Sequence, residues 1–168
     1  MKKLLMIALC ISFSLVLLGA TVHAEMAKEG SGAYRGAKSG TVTIIKMGDH
    51  MQINWDEAGV MVEVPEDSPF LNASFRTMGS YHSIKGHMDG QGCIVITRPN
   101  GDQIFGTLTM GGKAMAGPSY GKIEFTGGTG ECEGITGGMD LRSRPKVMPS
   151  KEGTYQQLAI GEFNWKLP

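Results

Sequence analysis

From His50 to Trp55 the chain alternates, with Met51, Ile53 and Trp55 on one side and Gln52 and Asn54 on the other. A period of two belongs to a strand with one face in a core. Similar segments recur at the spacing of about 8–12 residues that marks a barrel or sandwich. Thr41–Met47 predicts a strand before this one, broken at Gly48-Asp49. Asp56-Glu57-Ala58-Gly59 predicts a turn after it, beyond which Val60, Val62 and Val64 face one way and Met61 and Glu63 the other. Pro65-Glu66-Asp67-Ser68-Pro69 must be loop, since two prolines bracket polar residues. Phe70–Met88 reads as one long strand, bent or bulged at Gly79 and Gly86. Cys93–Thr97 and Gln103–Met110 join across Asn100-Gly101, a strong hairpin signal. Gly111–Ser119 is a small-residue loop, and Arg142–Lys151, with Pro145 and Pro149, reads as an exposed excursion. The closing strand runs over about Gly153–Leu167, with Tyr155, Phe163 and Trp165 on one face.

The small, glycine-rich stretch from Glu25 to Gly40 predicts a mobile arm over about residues 25–39, ordered near Tyr34. With no crossover helix in the pattern, the expectation is an all-β protein: an antiparallel up-and-down β-barrel of about eight strands, which removes its own sheet edges by closing.

In Phe125-Thr-Gly-Gly-Thr-Gly-Glu-Cys-Glu-Gly-Ile-Thr-Gly-Gly138, six of the fourteen residues are glycine, interspersed with others that include Cys132 and Ile135. This reads as two strands, about Gly121–Thr126 and Glu131–Met139, joined by a turn at Gly127–Gly130. Gly127-Gly128-Thr129-Gly130, followed by Gly134, Ile135 and Gly137, resembles the Gly-Gly-Thr-Gly…Gly-x-x-Gly segment of the allene oxide cyclase and dirigent-like β-barrel superfamily. The resemblance implies a secreted or plastid eight-stranded barrel that binds or cyclises apolar molecules. Glu131-Cys132 departs from the basic-aromatic position that often follows the turn there, and no catalytic residue of either family maps onto this chain.

Met1-Lys2-Lys3, the apolar run Leu4–Leu18 and the Val22-His23-Ala24 cleavage site form a bacterial-type signal peptide over residues 1–24. The expectation is a secreted or periplasmic single domain over residues 25–168 that does not reside in a membrane after cleavage. Removing 24 of the 168 residues leaves 144, with Lys2 and Lys3 lost from 16 basic side chains against 16 acidic ones. A slightly acidic chain has no electrostatic reason to bind nucleic acid. Cys93 and Cys132 remain; their strands open at opposite ends of a meander, which predicts two free, buried thiols.

Polar residues sharing a strand face with apolar ones are the candidate site. On Phe70–Met88, Arg76, Met78, Ser80 and His82 lie on one face and Phe75, Thr77, Gly79 and Tyr81 on the other, and either face could be inside. With Arg76 and His82 inward, Glu63 is the natural anionic partner. Glu63, Arg76, His82, Trp55 and Tyr155 are thus the candidate ligand-binding residues, for a small apolar or amphipathic molecule and with no cofactor. No nucleophile motif is present, and His82 and His87, five residues apart, make a poor metal pair. The leading reading is a small-molecule-binding barrel, as a monomer or a homo-oligomer. An isomerase or cyclase of allene oxide cyclase type is the alternative. A purely structural barrel, or a copper-handling protein using Met47, His50 and Met51, is the third.

Overall fold

The computed structural model describes residues 26–113, 119–147 and 151–168, so the predicted signal peptide and its cleavage site lie outside the described residues. Eight strands, β1 (Glu29–Met47), β2 (His50–Glu63), β3 (Ser74–Ile84), β4 (His87–Thr97), β5 (Gln103–Lys113), β6 (Ser119–Gly128), β7 (Thr136–Val147) and β8 (Thr154–Lys166), pair in chain order and close into a barrel. Every neighbouring pair is antiparallel, including the closing pair of β1 with β8. One turn of 3₁₀ helix, Gly130–Cys132, is the sole helical element among the described residues. The all-β antiparallel barrel predicted from alternation is therefore the fold.

The boundaries differ from the sequence reading in four informative places. First, the stretch expected to be a mobile arm is strand: Glu29–Thr41 pairs residue by residue with β8. Its glycines are what let it pack. A side-chain carbon on Gly30 would run into the Trp165 ring, and one on Gly36 would meet Phe75 at 3.3 Å. Large aromatic groups on other strands fill the space that glycine leaves open. Second, Asp56-Glu57-Ala58-Gly59 is not a turn, for β2 runs straight through it with Glu57 buried. Third, Phe70–Met88 is two strands rather than one, because Lys85 and Gly86 both take positive φ (50° and 80°) and close a two-residue hairpin. Fourth, Glu131–Ile135 is turn rather than strand, and Arg142–Val147, expected as an excursion, continues β7.

Three longer connections, 64–73, 98–102 and 129–135, and the two terminal segments next to Glu29 and Lys166 gather at one end. They close that end. Phe70, from the β2–β3 loop, is 0% exposed and lies 4.6 Å from Phe163, 5.7 Å from Phe125 and 6.1 Å from Trp165, ring centre to ring centre. Cys132, Ile135 and Leu167 complete the plug. Arg98 pairs with both Asp102 and Glu131, and Asp102 accepts the Glu131 backbone N–H at 3.0 Å, so the glycine-rich turn is tied to the β4–β5 loop. Both cysteines are free; Cys132 is buried as expected, but Cys93 is exposed on the outer wall, because Ile94 and Ile96 hold the inward parity of β4.

Candidate functional site

At the opposite end, the mouth, the inward-facing Val42, Tyr81 and Met110 are half-buried and pack against the core, while Ser83 and Met88 there are buried. Between mouth and plug the apolar lining is interrupted by one polar cluster. Lys38 of β1 and Glu57 of β2 form an ion pair, Nζ to Oε1 2.8 Å, with each side chain 5% exposed. Thr77 Oγ1 of β3 donates to the same Oε1 at 2.7 Å, and Tyr155 OH of β8 donates to Oε2 at 2.6 Å. The Trp55 indole N–H donates to Thr77 Oγ1 at 3.4 Å.

Strand register explains how four strands reach one carboxylate. Tyr155, Gly40, Glu57 and Thr77 are lateral neighbours on consecutive strands. Gly40 is the gap across which Tyr155 reaches Glu57, since a side-chain carbon there would stand 2.6 Å from Glu57 Cβ. Burial raises the Tyr155 phenol above its ordinary range, and the Glu57 carboxylate beside it raises it further. The hydroxyl therefore stays protonated and remains a donor. Burial likewise raises Tyr81, whose ring lies 5.9 Å from that of Trp55.

The cluster retains unused hydrogen-bonding capacity. An ammonium has three N–H groups. Among the described residues, Lys38 uses one, on Glu57. Ser83 of β3 and Ser143 of β7 also face inward, are 0% and 2% exposed, and have hydroxyls with no partner among the described residues. Buried polar groups are almost always paired, so such groups mark where a further partner belongs.

Of the residues singled out from sequence, Trp55 and Tyr155 lie in this cluster. The other three lie on the outer wall. Arg76 makes a two-point pair with Asp56, at 3.0 and 2.8 Å, and holds that carboxyl below its usual range. Glu63 pairs with Arg35 at 2.8 Å, not with Arg76. It borders an outer depression of about 460 Å³ with Arg142 and Glu162, and another of about 380 Å³ lies over the small side chains Ala37, Ser39 and Ala58. These depressions lie on the outside of the wall, away from the point where the polar groups converge. His82 is exposed, with Nδ1 3.1 Å from His50 Nε2. Phe75, Thr77 and Tyr81 take the inward parity of β3, so Arg76 and His82 cannot. The Met47, His50 and Met51 grouping also separates, because Met51 has the inward parity of Ile53 while Met47 and His50 sit outside.

Lys38 and Glu57 escaped the sequence reading because both fell in segments taken as arm and turn. Their available signal was parity, since Lys38 continues Tyr34 and Gly36, and Glu57 continues Ile53 and Trp55.

No protein-family model and no curated protein matches the chain. Among solved structures, it is similar to a pterocarpan synthase dirigent protein, with a TM-score of 0.51 and 14% identity over 89% of this chain and 100% of that one. At that identity the likeness is one of fold: the chain shares the eight-stranded barrel fold of that protein. The resemblance of the glycine-rich turn agrees with it on the dirigent side, and nothing in these matches bears on allene oxide cyclase.

Proposed function

We propose that this chain binds a small amphipathic molecule inside the barrel. The molecule enters at the mouth, lays its apolar part against Tyr81, Trp55 and Met110, and presents a hydrogen-bond acceptor to Lys38 and a polar group to the inward serines. Export directed by residues 1–24 would place the barrel outside the cytoplasm, where such molecules are met.

The observation that carries this reading is the incompletely satisfied Lys38–Glu57 pair in an otherwise apolar interior. Stability gives little reason for such a pair, since replacing a buried ion pair by apolar residues is often neutral or stabilising by about 1–4 kcal/mol. A fixed charge pair does give an incoming polar group its orientation and its specificity. The dirigent-like fold supports the choice of the barrel interior as the binding volume.

Native mass spectrometry of the protein purified from its own compartment tests the reading. The expected result is a retained small molecule in the natural protein and its loss from a folded Lys38→Met/Glu57→Leu double variant. A double variant that keeps the same mass would place the ligand elsewhere, and a natural protein that carries and accepts no small molecule would make the pair purely structural.

A further inference from the structure

The outer wall at the mouth end carries a feature unrelated to the interior. His50, the first residue of β2, and His82, near the end of β3, are diagonal neighbours across the strand pair, with their register partners at Ile84 and Gln52. Their facing ring nitrogens, Nε2 and Nδ1, are 3.1 Å apart, and their ring centres 5.3 Å. Met47 stands beside His50 on β1, and Asp89 beside His82 on β4. Met47, His82 and Asp89 are exposed and His50 is half-exposed, so the patch is open to solvent.

We infer that His50 Nε2 and His82 Nδ1 together bind one divalent transition-metal ion on this wall. The spacing suits it. Two nitrogens held by one ion at about 2.0–2.1 Å lie about 2.9 Å apart at a right angle and about 3.4 Å apart at the tetrahedral angle. The observed separation falls between these values. The pairing of β2 with β3 holds both histidines on one face before any ion arrives, which lowers the ordering cost of chelation. Asp89 lies on the same face opposite His82 and Met47 opposite His50, and neither is counted as a ligand. Among the described residues no three His, Cys, Asp or Glu side chains converge as a closed cage. Water therefore completes the coordination, as at an open surface site.

Chelation needs no net loss of a proton from neutral imidazoles. In the hydrogen-bonded pair, one ring N–H donates to the other ring's lone pair. When the ion enters, that proton leaves for solvent and the other nitrogen of the same ring takes one up, so both facing nitrogens become ligands. Imidazole pairs favour the later first-row ions, which predicts cupric ion binding most tightly, ahead of nickel and zinc.

The test is calorimetric titration of the untagged chain with cupric, nickel and zinc chlorides at about pH 7.5. One ion per chain is expected in that order of affinity. His50→Ala and His82→Ala should each weaken cupric binding at least about tenfold, because one of two linked ligands is gone. His87→Ala, which removes an exposed histidine from the neighbouring strand, should leave it unchanged. Circular dichroism verifies that all three variants keep the barrel. Absence of stoichiometric binding overturns the inference, as does undiminished binding in the His50→Ala/His82→Ala double variant. An effect of His87→Ala as large as that of His82→Ala overturns the assignment too.

Discussion

The two ends of this barrel are built from opposite materials. At the plugged end, Phe70, Phe125, Phe163 and Trp165 pack ring against ring beneath Cys132 and Ile135, and the two surface loops there are tied by Arg98, Asp102 and Glu131. Toward the mouth, half-buried Val42, Tyr81 and Met110 lie beyond a buried charged pair, a phenol and two buried hydroxyls without partners among the described residues. One end maximises apolar contact, although the hydroxyl of buried Ser68 in the β2–β3 loop there also lacks a partner among the described residues. The other keeps polar groups dry and only partly satisfied, which costs folding free energy. On the proposed function, the plug supplies stability and the interior behind the mouth recognition, and the variants that follow test that division.

The largest effects come from unbalancing the charged pair or emptying the plug. Glu57→Leu alone strands the Lys38 ammonium and should destabilise by about 3–5 kcal/mol, as breaking a buried pair typically does. Adding Lys38→Met should restore most of that loss. Urea unfolding of the two single variants and the double variant measures it. A double variant as unstable as Glu57→Leu would show that the cluster is structural, and would break the division between the ends. Phe70→Ala should cost a comparable amount, about 3–5 kcal/mol for a fully buried aromatic. It should nevertheless leave ligand retention intact in the folded fraction. Loss of ligand without loss of stability would reverse the roles assigned to the two ends.

A smaller effect separates the ends by pH. Burial raises the phenols of Tyr34, Tyr81 and Tyr155, with the carboxylates of Asp140 and Glu57 adding to Tyr34 and Tyr155 respectively. In the unfolded chain these groups ionise near about pH 10. The folded state thus holds more protons above that pH, and stability present below it is lost as pH rises. Unfolding midpoints measured from about pH 8 to pH 11 should fall beyond about pH 10. Tyr155→Phe should flatten part of that fall, whereas a profile identical to that of the natural protein would mean that Tyr155 is not held neutral by the cluster.

How much of this was legible in the sequence depends on what each signal measures. Alternation reports which side of a sheet a residue occupies, and it was strong enough in Met51–Trp55 and in Tyr155, Phe163 and Trp165 to give the fold and two of the cluster residues. Glycine content is ambiguous, because it marks a flexible arm and a close-packed strand alike. The aromatic groups that fill the gaps above Gly30 and Gly36 lie far away in the chain. The same ambiguity turned Asp56-Glu57-Ala58-Gly59 into a turn, although parity runs unbroken from Ile53 through Trp55 to Glu57. Charges on a face that also carries Met78 and Ile84 drew attention to Arg76 and His82. Those apolar side chains are exposed on the outer wall, at 46% and 54%.

The smallest predicted effect is the sharpest check on which face is inside. Arg76 and Asp56 pair on the outside of the wall with both side chains in water, where solvent and salt screen the attraction. Glu63 and Arg35 do the same nearer the plug. Arg76→Ala and Glu63→Ala should therefore leave ligand retention unchanged and shift the unfolding midpoint too little to resolve at physiological salt. The pairing of Arg76 with Asp56 does leave one trace. It holds the Asp56 carboxyl below its usual range, so its small stabilising effect is present above the ordinary carboxylate pKa and fades as pH falls through the lowered one. Carboxyl titration followed by NMR should show Asp56 moving up toward its ordinary value in Arg76→Ala, with the inward aromatic resonances of Trp55 and Tyr155 undisturbed. Ligand loss in Arg76→Ala, with Asp56 unmoved, would mean that Arg76 turns inward and that the inner and outer faces of β3 have been interchanged.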